Sequence, residues 1–202
     1  MILVFDFDGT LHKTDDLYKK SFYKCLDNNN IKRPNLDVAS YLGYPPRKIW
    51  DDFFDDSFDK ERLIKEVGTY MQKFMKDFGK LYENTENTLK ILKKKHKLII
   101  CSSCSKSYIE AARKIYKLDR FFDSYLIGED FSYKEKYEIL RESLNKDFIM
   151  IGDRLSDVLA ANKNNQISIF AKYGYGEEFE GQDADERIEK IEYLLNLKVL
   201  GL

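Results

Sequence analysis

Histidine, cysteine and surplus charge are all scarce in this chain. There are two histidines in 202 residues. A Ser-His-Asp triad or a multi-histidine zinc site is therefore not expected, and acid–base chemistry falls to carboxylates. Three cysteines, Cys25, Cys101 and Cys104, are an odd count and too few for a disulfide scaffold. Thirty-four basic side chains against 35 acidic ones leave a net charge of −1. A nucleic-acid binder usually carries a basic excess, so none is expected as a partner. No apolar run approaches the ~20 residues of a membrane helix. The opening MILVFDFDGT has no secretory pattern. A cytoplasmic protein, monomeric or weakly dimeric, is the expectation.

What remains is ordinary globular material: 43% apolar and 34% charged residues, enough for a real core without staples. Five short apolar runs read as buried strands: Ile2–Phe5, Leu98–Cys101, Tyr125–Ile127, Phe148–Ile151 and Ile167–Ala171. Helical spacing separates the later ones (Tyr108, Ala112, Ile115 and Tyr116; Tyr137, Leu140 and Leu144; a helix starting near Ser156). Strands alternating with helices predict an α/β fold with a doubly wound, Rossmann-like parallel sheet.

The stretch from His12 to Asn84 has no strand-like run. Leu17, Ser21 and Cys25 share one helical face. Pro45-Pro46 can open a second helix carrying Ile49, Trp50 and Phe53. Leu63, Val67, Tyr70, Phe74 and Phe78 form a long stripe. An insertion of this size is too long for a loop. It predicts an all-helical cap domain over 12–84, with the core domain made of 1–11 and 85–202. A terminal helix is expected to carry Ile188, Ile191, Leu194 and Leu195.

Asp6 and Asp8 stand two apart at the end of the first strand, so they point to one side. Ligands in open parallel sheets bind beyond the carboxyl ends of the strands. An acid closing an apolar strand is costly unless paired or bound to a metal. Asp153 repeats that position after the fourth strand, and Asp157 follows about one helical turn later. Converging carboxylates repel one another unless a cation holds them, and an all-oxygen set favours Mg2+ over zinc.

The string DFDGTL at Asp6–Leu11 resembles the first signature of the haloacid dehalogenase-like (HAD) hydrolase superfamily, and GDRLSD at Gly152–Asp157 is similar to its fourth. The motif order fits nearly the whole chain. Ser102 matches the second motif, with Ser103 beside it. Lys136, in Lys-Tyr-Glu-Ile-Leu, matches the third better than Lys134 does. The CxxC spacing of Cys101 and Cys104 also permits a redox reading, which no other feature supports.

The resemblance implies a phosphatase working through an aspartyl phosphate. Asp6 would attack phosphorus and Asp8 would act as acid and then base. Ser102, Ser103 and Lys136 would bind the phosphoryl group. Mg2+ would see the Asp6 and Asp153 carboxylates and the Asp8 carbonyl, with Asp157 an occasional ligand. Within the helical-cap class the chain looks most like phosphoglycolate phosphatases, through Leu42–Arg47, Tyr173–Gly176 and Ala184-Asp185. Arg47 and Tyr18 are candidate substrate contacts. A small phosphorylated metabolite, of phosphoglycolate or sugar-phosphate type, is the expected partner. A phosphosugar mutase of the beta-phosphoglucomutase kind shares the same motifs, and a non-catalytic binding protein on this fold is the remaining alternative. Many relatives carry Asp and Ser where His12-Lys13-Thr14 stands.

Overall fold

A computed structural model describes residues 1–201. Strand β1 (Ile2–Phe5) leads through a two-residue strand β2 (His12–Lys13) into three helices, α1 (Asp15–Asn28), α2 (Lys48–Phe53) and α3 (Lys60–Phe78). A second two-residue strand, β3 (Lys80–Leu81), returns the chain to the core. There follow α4 (Thr85–Leu92), β4 (Lys97–Ser102), α5 (Lys106–Tyr116), β5 (Ser124–Ile127), α6 (Lys136–Ser143), β6 (Phe148–Gly152), α7 (Leu155–Asn162), β7 (Ile167–Ala171) and β8 (Glu186–Ile188).

The main sheet runs β5-β4-β1-β6-β7-β8, and every pairing in it is parallel. Successive side chains of β1 point to opposite faces, and both faces are buried. Leu3 and Phe5 pack with Leu89, Leu92, Ile109 and Ala112 on one side. Val4 packs with Ile139, Leu140, Ala160 and Ala161 on the other. The chain winds outward from β1 through β4 and β5, then returns to β6 and winds the other way. The order therefore reverses beside β1, the place where such sheets hold ligands. Asp6 and Asp153 follow the two adjacent strands at that reversal.

The five strands expected from apolar runs are all present, extended by a residue at some ends. The sixth, β8, replaces the start of the expected terminal helix. Ile188 pairs beside Ala171 in the sheet, and 191–196 is a 3-10 helix. Within that 3-10 helix the buried Ile191 and Leu194 stand three apart, one 3-10 turn.

Between β2 and β3 the helices enclose their own apolar cluster, with Phe22, Cys25, Ile49, Trp50, Leu63 and Val67 at its centre. The expected stripe on α3 is buried at Leu63 and Val67 and partly buried at Tyr70 and Phe74. Farther along, Met75 is fully buried while Phe78 is exposed, because the last turns of the helix pack on the core. β2 and β3 also fall where no strand was expected. They pair antiparallel, His12 with Leu81 and Lys13 with Lys80, so the two chain crossings lie side by side.

Candidate active site

Asp6 continues the line of β1, and its N–H donates to the Ile151 carbonyl of β6 at 2.9 Å. The residue is 1% exposed. Oδ1 lies 3.0 Å from Nζ of Lys136. Oδ2 is buried and meets no hydrogen-bond partner. Burial drives the Asp6 carboxyl well above its ordinary range; Lys136 opposes this, and Asp157, Asp153 and Asp8 add to it. Lys136 opens α6 and is 3% exposed. Its ammonium also donates to Asp157 Oδ1 at 2.6 Å. Burial works against its charged form; Asp157 and Asp6 more than reverse that, so the lysine stays charged. Lys134 is turned outward to Glu142.

Asp153 is held from two sides. Thr10 Oγ1 donates to its Oδ1 and the Tyr175 N–H to its Oδ2, both at 2.8 Å. Gly9 sits at φ +83°, and a Cβ there would come within 2.2 Å of Asp153 Oδ2. This position needs glycine for both its backbone and its clearance. Burial, and then Asp157, raise the Asp153 carboxyl from 3.8 to about 7. Asp157 Oδ2 accepts from the Arg154 N–H at 3.0 Å, which caps the start of α7.

One carboxylate oxygen from each of Asp6, Asp153 and Asp157 falls within 4.8 Å of the others. Three buried acids beside one ammonium leave negative charge uncompensated. The all-oxygen donors and the unpartnered Asp6 Oδ2 fit a hard divalent cation.

Asp8 stands apart from that cluster. Its Oδ1 accepts from Tyr108 OH at 2.7 Å and from Thr14 Oγ1. His12 bridges Thr14 Oγ1 and Tyr116 OH at 2.7 and 2.9 Å and stacks on Phe7.

A cavity of about 520 Å3 opens over these groups, lined by Asp6, Asp8, Ser102, Ser103 and Tyr18 together with residues of α2 and α3. Ser102 ends β4, and the loop after it runs into the N-terminus of α5. That is favourable ground for a phosphoryl oxygen. Cys104 lines the same cavity, and burial pushes its thiol up, as it does that of the fully buried Cys101. Neither is an activated thiolate.

The structure brings Asp6, Asp8, Ser102, Ser103, Lys136, Asp153, Asp157 and Tyr18 to one place. Arg47 is not among them. It lies exposed, paired with Asp51 and Glu61.

Arg154 was missed by sequence reasoning. Its guanidinium donates to the carbonyls of Leu42 at 2.7 Å and Ser40 at 3.3 Å, lies over the Tyr44 ring, and pairs with buried Glu180 at 3.1 Å. It thus ties the loop before α2 to the rim of the sheet. The one available signal was an arginine inside an otherwise acidic motif. Arg154→Leu is expected to lower stability by roughly 3 kcal/mol in urea titration, because Glu180 is left buried and unpaired, and to raise KM as the loop loosens.

A family model described as "Haloacid dehalogenase-like hydrolase" matches residues 3–171. A "Pyrophosphatase PpaX" of Anoxybacillus flavithermus is 29% identical, covering 78% of this chain and 77% of the relative. A "5'-nucleotidase" of Pseudomonas aeruginosa is 27% identical, covering 88% and 85%. Among solved structures, that of "a predicted phosphatase from Clostridium acetobutylicum" is 28% identical with a TM-score of 0.80, covering 100% of this chain and 98% of that one. No helix among the described residues is long and apolar enough to cross a membrane.

Proposed function

The chain belongs to the haloacid dehalogenase-like hydrolase family, as a phosphatase, and from that premise we propose that it hydrolyses a small phosphomonoester with Mg2+ through a phospho-Asp6 intermediate. The observation that carries this reading is the buried cluster of Asp6, Asp153 and Asp157 around Lys136, with Asp6 Oδ2 unpartnered.

Asp6, the Asp8 carbonyl and Asp153 would hold Mg2+, with Asp157 behind them. The bound ion supplies positive charge that lets an anionic nucleophile approach an anionic ester. Lys136 adds a fixed charge on the same side, and the amides after Ser102 orient the phosphoryl oxygens. Asp6 attacks phosphorus as the bond to the leaving oxygen breaks. Asp8 gives its proton to that oxygen. It then takes a proton from the water that releases phosphate and regenerates Asp6. Residues 12–84 act as a cap, excluding bulk water during transfer.

The expected result is release of phosphate from p-nitrophenyl phosphate with Mg2+, loss of turnover in EDTA, and recovery on adding Mg2+ back. A sugar 1-phosphate should give free phosphate and not its isomer. Absence of phosphate release with every monoester tried would overturn the reading.

A second expectation concerns pH. Asp153 binds its proton more tightly in the folded chain, with a value of about 7 against 3.8. Between those values the native state holds more protons than the unfolded one, so metal-free stability falls as pH rises toward 7. The loss is on the order of a few kcal/mol. A cation replaces those protons. Mg2+ should therefore raise the melting temperature more at pH 8 than at pH 5, as scanning calorimetry would show; equal increments would contradict it.

A further inference from the structure

The organic half of the substrate meets a distinctive surface. Among the described residues lining the cavity, Lys65 is the one cation, and Glu61 and Glu129 are the acids that line it away from the acidic cluster. With Glu61 already paired to Arg47, Lys65 and Glu129 leave this part of the wall near neutral, so it offers no excess positive charge to a second phosphate or carboxylate. The remaining wall is mostly uncharged and includes the aromatic rings of Tyr18, Tyr41, Tyr44, Trp50, Tyr108 and Tyr133.

Tyr133 is the informative one. It and Ser132 are consecutive non-glycine residues in left-handed backbone, at φ +56° and +53°. A bulky side chain there is a genuine outlier, and such conformations cluster at ligand sites, where the surroundings hold them in place. The Tyr133 N–H donates to the Gly128 carbonyl at 2.7 Å. Gly128 also keeps the space between that ring and the serine loop clear. A Cβ on it would lie 3.2 Å from the Tyr133 ring and 3.1 Å from Ser103 Cα. The ring is thereby set beside the Ser102-Ser103 loop, next to whatever is esterified to the phosphoryl group. The cavity, about 520 Å3, leaves room for a leaving group with a ring system.

We propose that this site selects phosphomonoesters whose leaving group is uncharged and carries a flat aromatic ring, as in a nucleoside 5′-monophosphate, with Tyr133 as the ring-stacking specificity residue. The proposal rests on the phosphatase reading above and narrows it. It departs from the phosphoglycolate or sugar-phosphate type expected from the sequence.

The test compares kcat/KM of the Mg2+-loaded full chain for uridine 5′-monophosphate, glycerol phosphate, phosphoglycolate and pyrophosphate. The nucleotide should lead by about tenfold or more, in line with the worth of one base–aromatic stack. Tyr133→Asn removes the ring but tolerates the left-handed backbone. It should shrink the nucleotide-to-glycerol-phosphate ratio about tenfold, through KM. Tyr133→Phe should preserve the ratio. A preference for phosphoglycolate or pyrophosphate overturns the proposal, and so does a Tyr133→Asn variant with an unchanged ratio. No turnover of any ester, p-nitrophenyl phosphate included, removes the phosphatase reading and this one with it.

Discussion

Asp6→Asn should give a folded protein that releases essentially no phosphate, with kcat down by at least about 10^4-fold, the scale seen when a nucleophile is removed from a catalytic unit. The amide is close in size to the carboxylate and keeps the side-chain shape of a residue that is 1% exposed. It is a poor nucleophile and carries no charge. The stability consequence has the opposite sign. Asp6 is a buried acid whose Oδ2 finds no donor, and burial resists its ionisation. The metal-free variant should therefore melt no lower than the parent at pH 8. Phosphate release and circular dichroism together check both halves. Activity within tenfold of the parent would show that another group attacks phosphorus.

Lys136→Met should lower kcat by roughly 10^2–10^3-fold, as loss of one preorganised charge stabiliser does. It should also destabilise the metal-free fold by about 3–5 kcal/mol near neutral pH, the cost of leaving buried charges unpaired. The ammonium now contacts Asp6 at 3.0 Å and Asp157 at 2.6 Å, and all three groups are buried. Without it, the Asp6 carboxyl binds its proton more tightly still in the native state. By linkage the deficit grows as pH rises and shrinks toward pH 4. Urea titrations across that range measure it. Lys136→Arg should restore charge better than activity, because a planar guanidinium does not fit a cavity shaped for a compact ammonium. A pH-independent deficit would mean that the lysine matters for packing alone.

The acids were legible in the sequence because an aspartate ending a run such as Ile2–Phe5 or Phe148–Ile151 is conspicuous. Those runs are buried on both faces, so their composition alone announces them. β8 was not legible. Glu186-Arg187-Ile188 is short, lies at the edge, and offers one buried side chain of three. The Lys-Tyr-Glu-Ile-Leu match alone prefers Lys136 to Lys134, and the structure turns Lys136 to Asp6 and Lys134 out to Glu142. Arg47 failed because a positive charge near the expected cap said nothing about Asp51 and Glu61, which already neutralise it. The support around Asp153 was invisible because it comes from Thr10 and from the Tyr175 N–H, far apart in sequence and each ordinary alone.

The central place of β1 in the sheet has a kinetic consequence. Ile2 pairs with Lys97 on one side and Phe148 on the other. Both partners are distant along the chain, so the loops that must close before β1 is seated are long, and such topologies fold slowly. On a ribosome, the strand carrying Asp6 emerges well before either neighbour exists. It must wait, apolar and unpaired, until β4 has left the exit tunnel, and with one edge still open until β6 follows. Ile2–Phe5 is thus a segment that binders of nascent hydrophobic chain would be expected to shield.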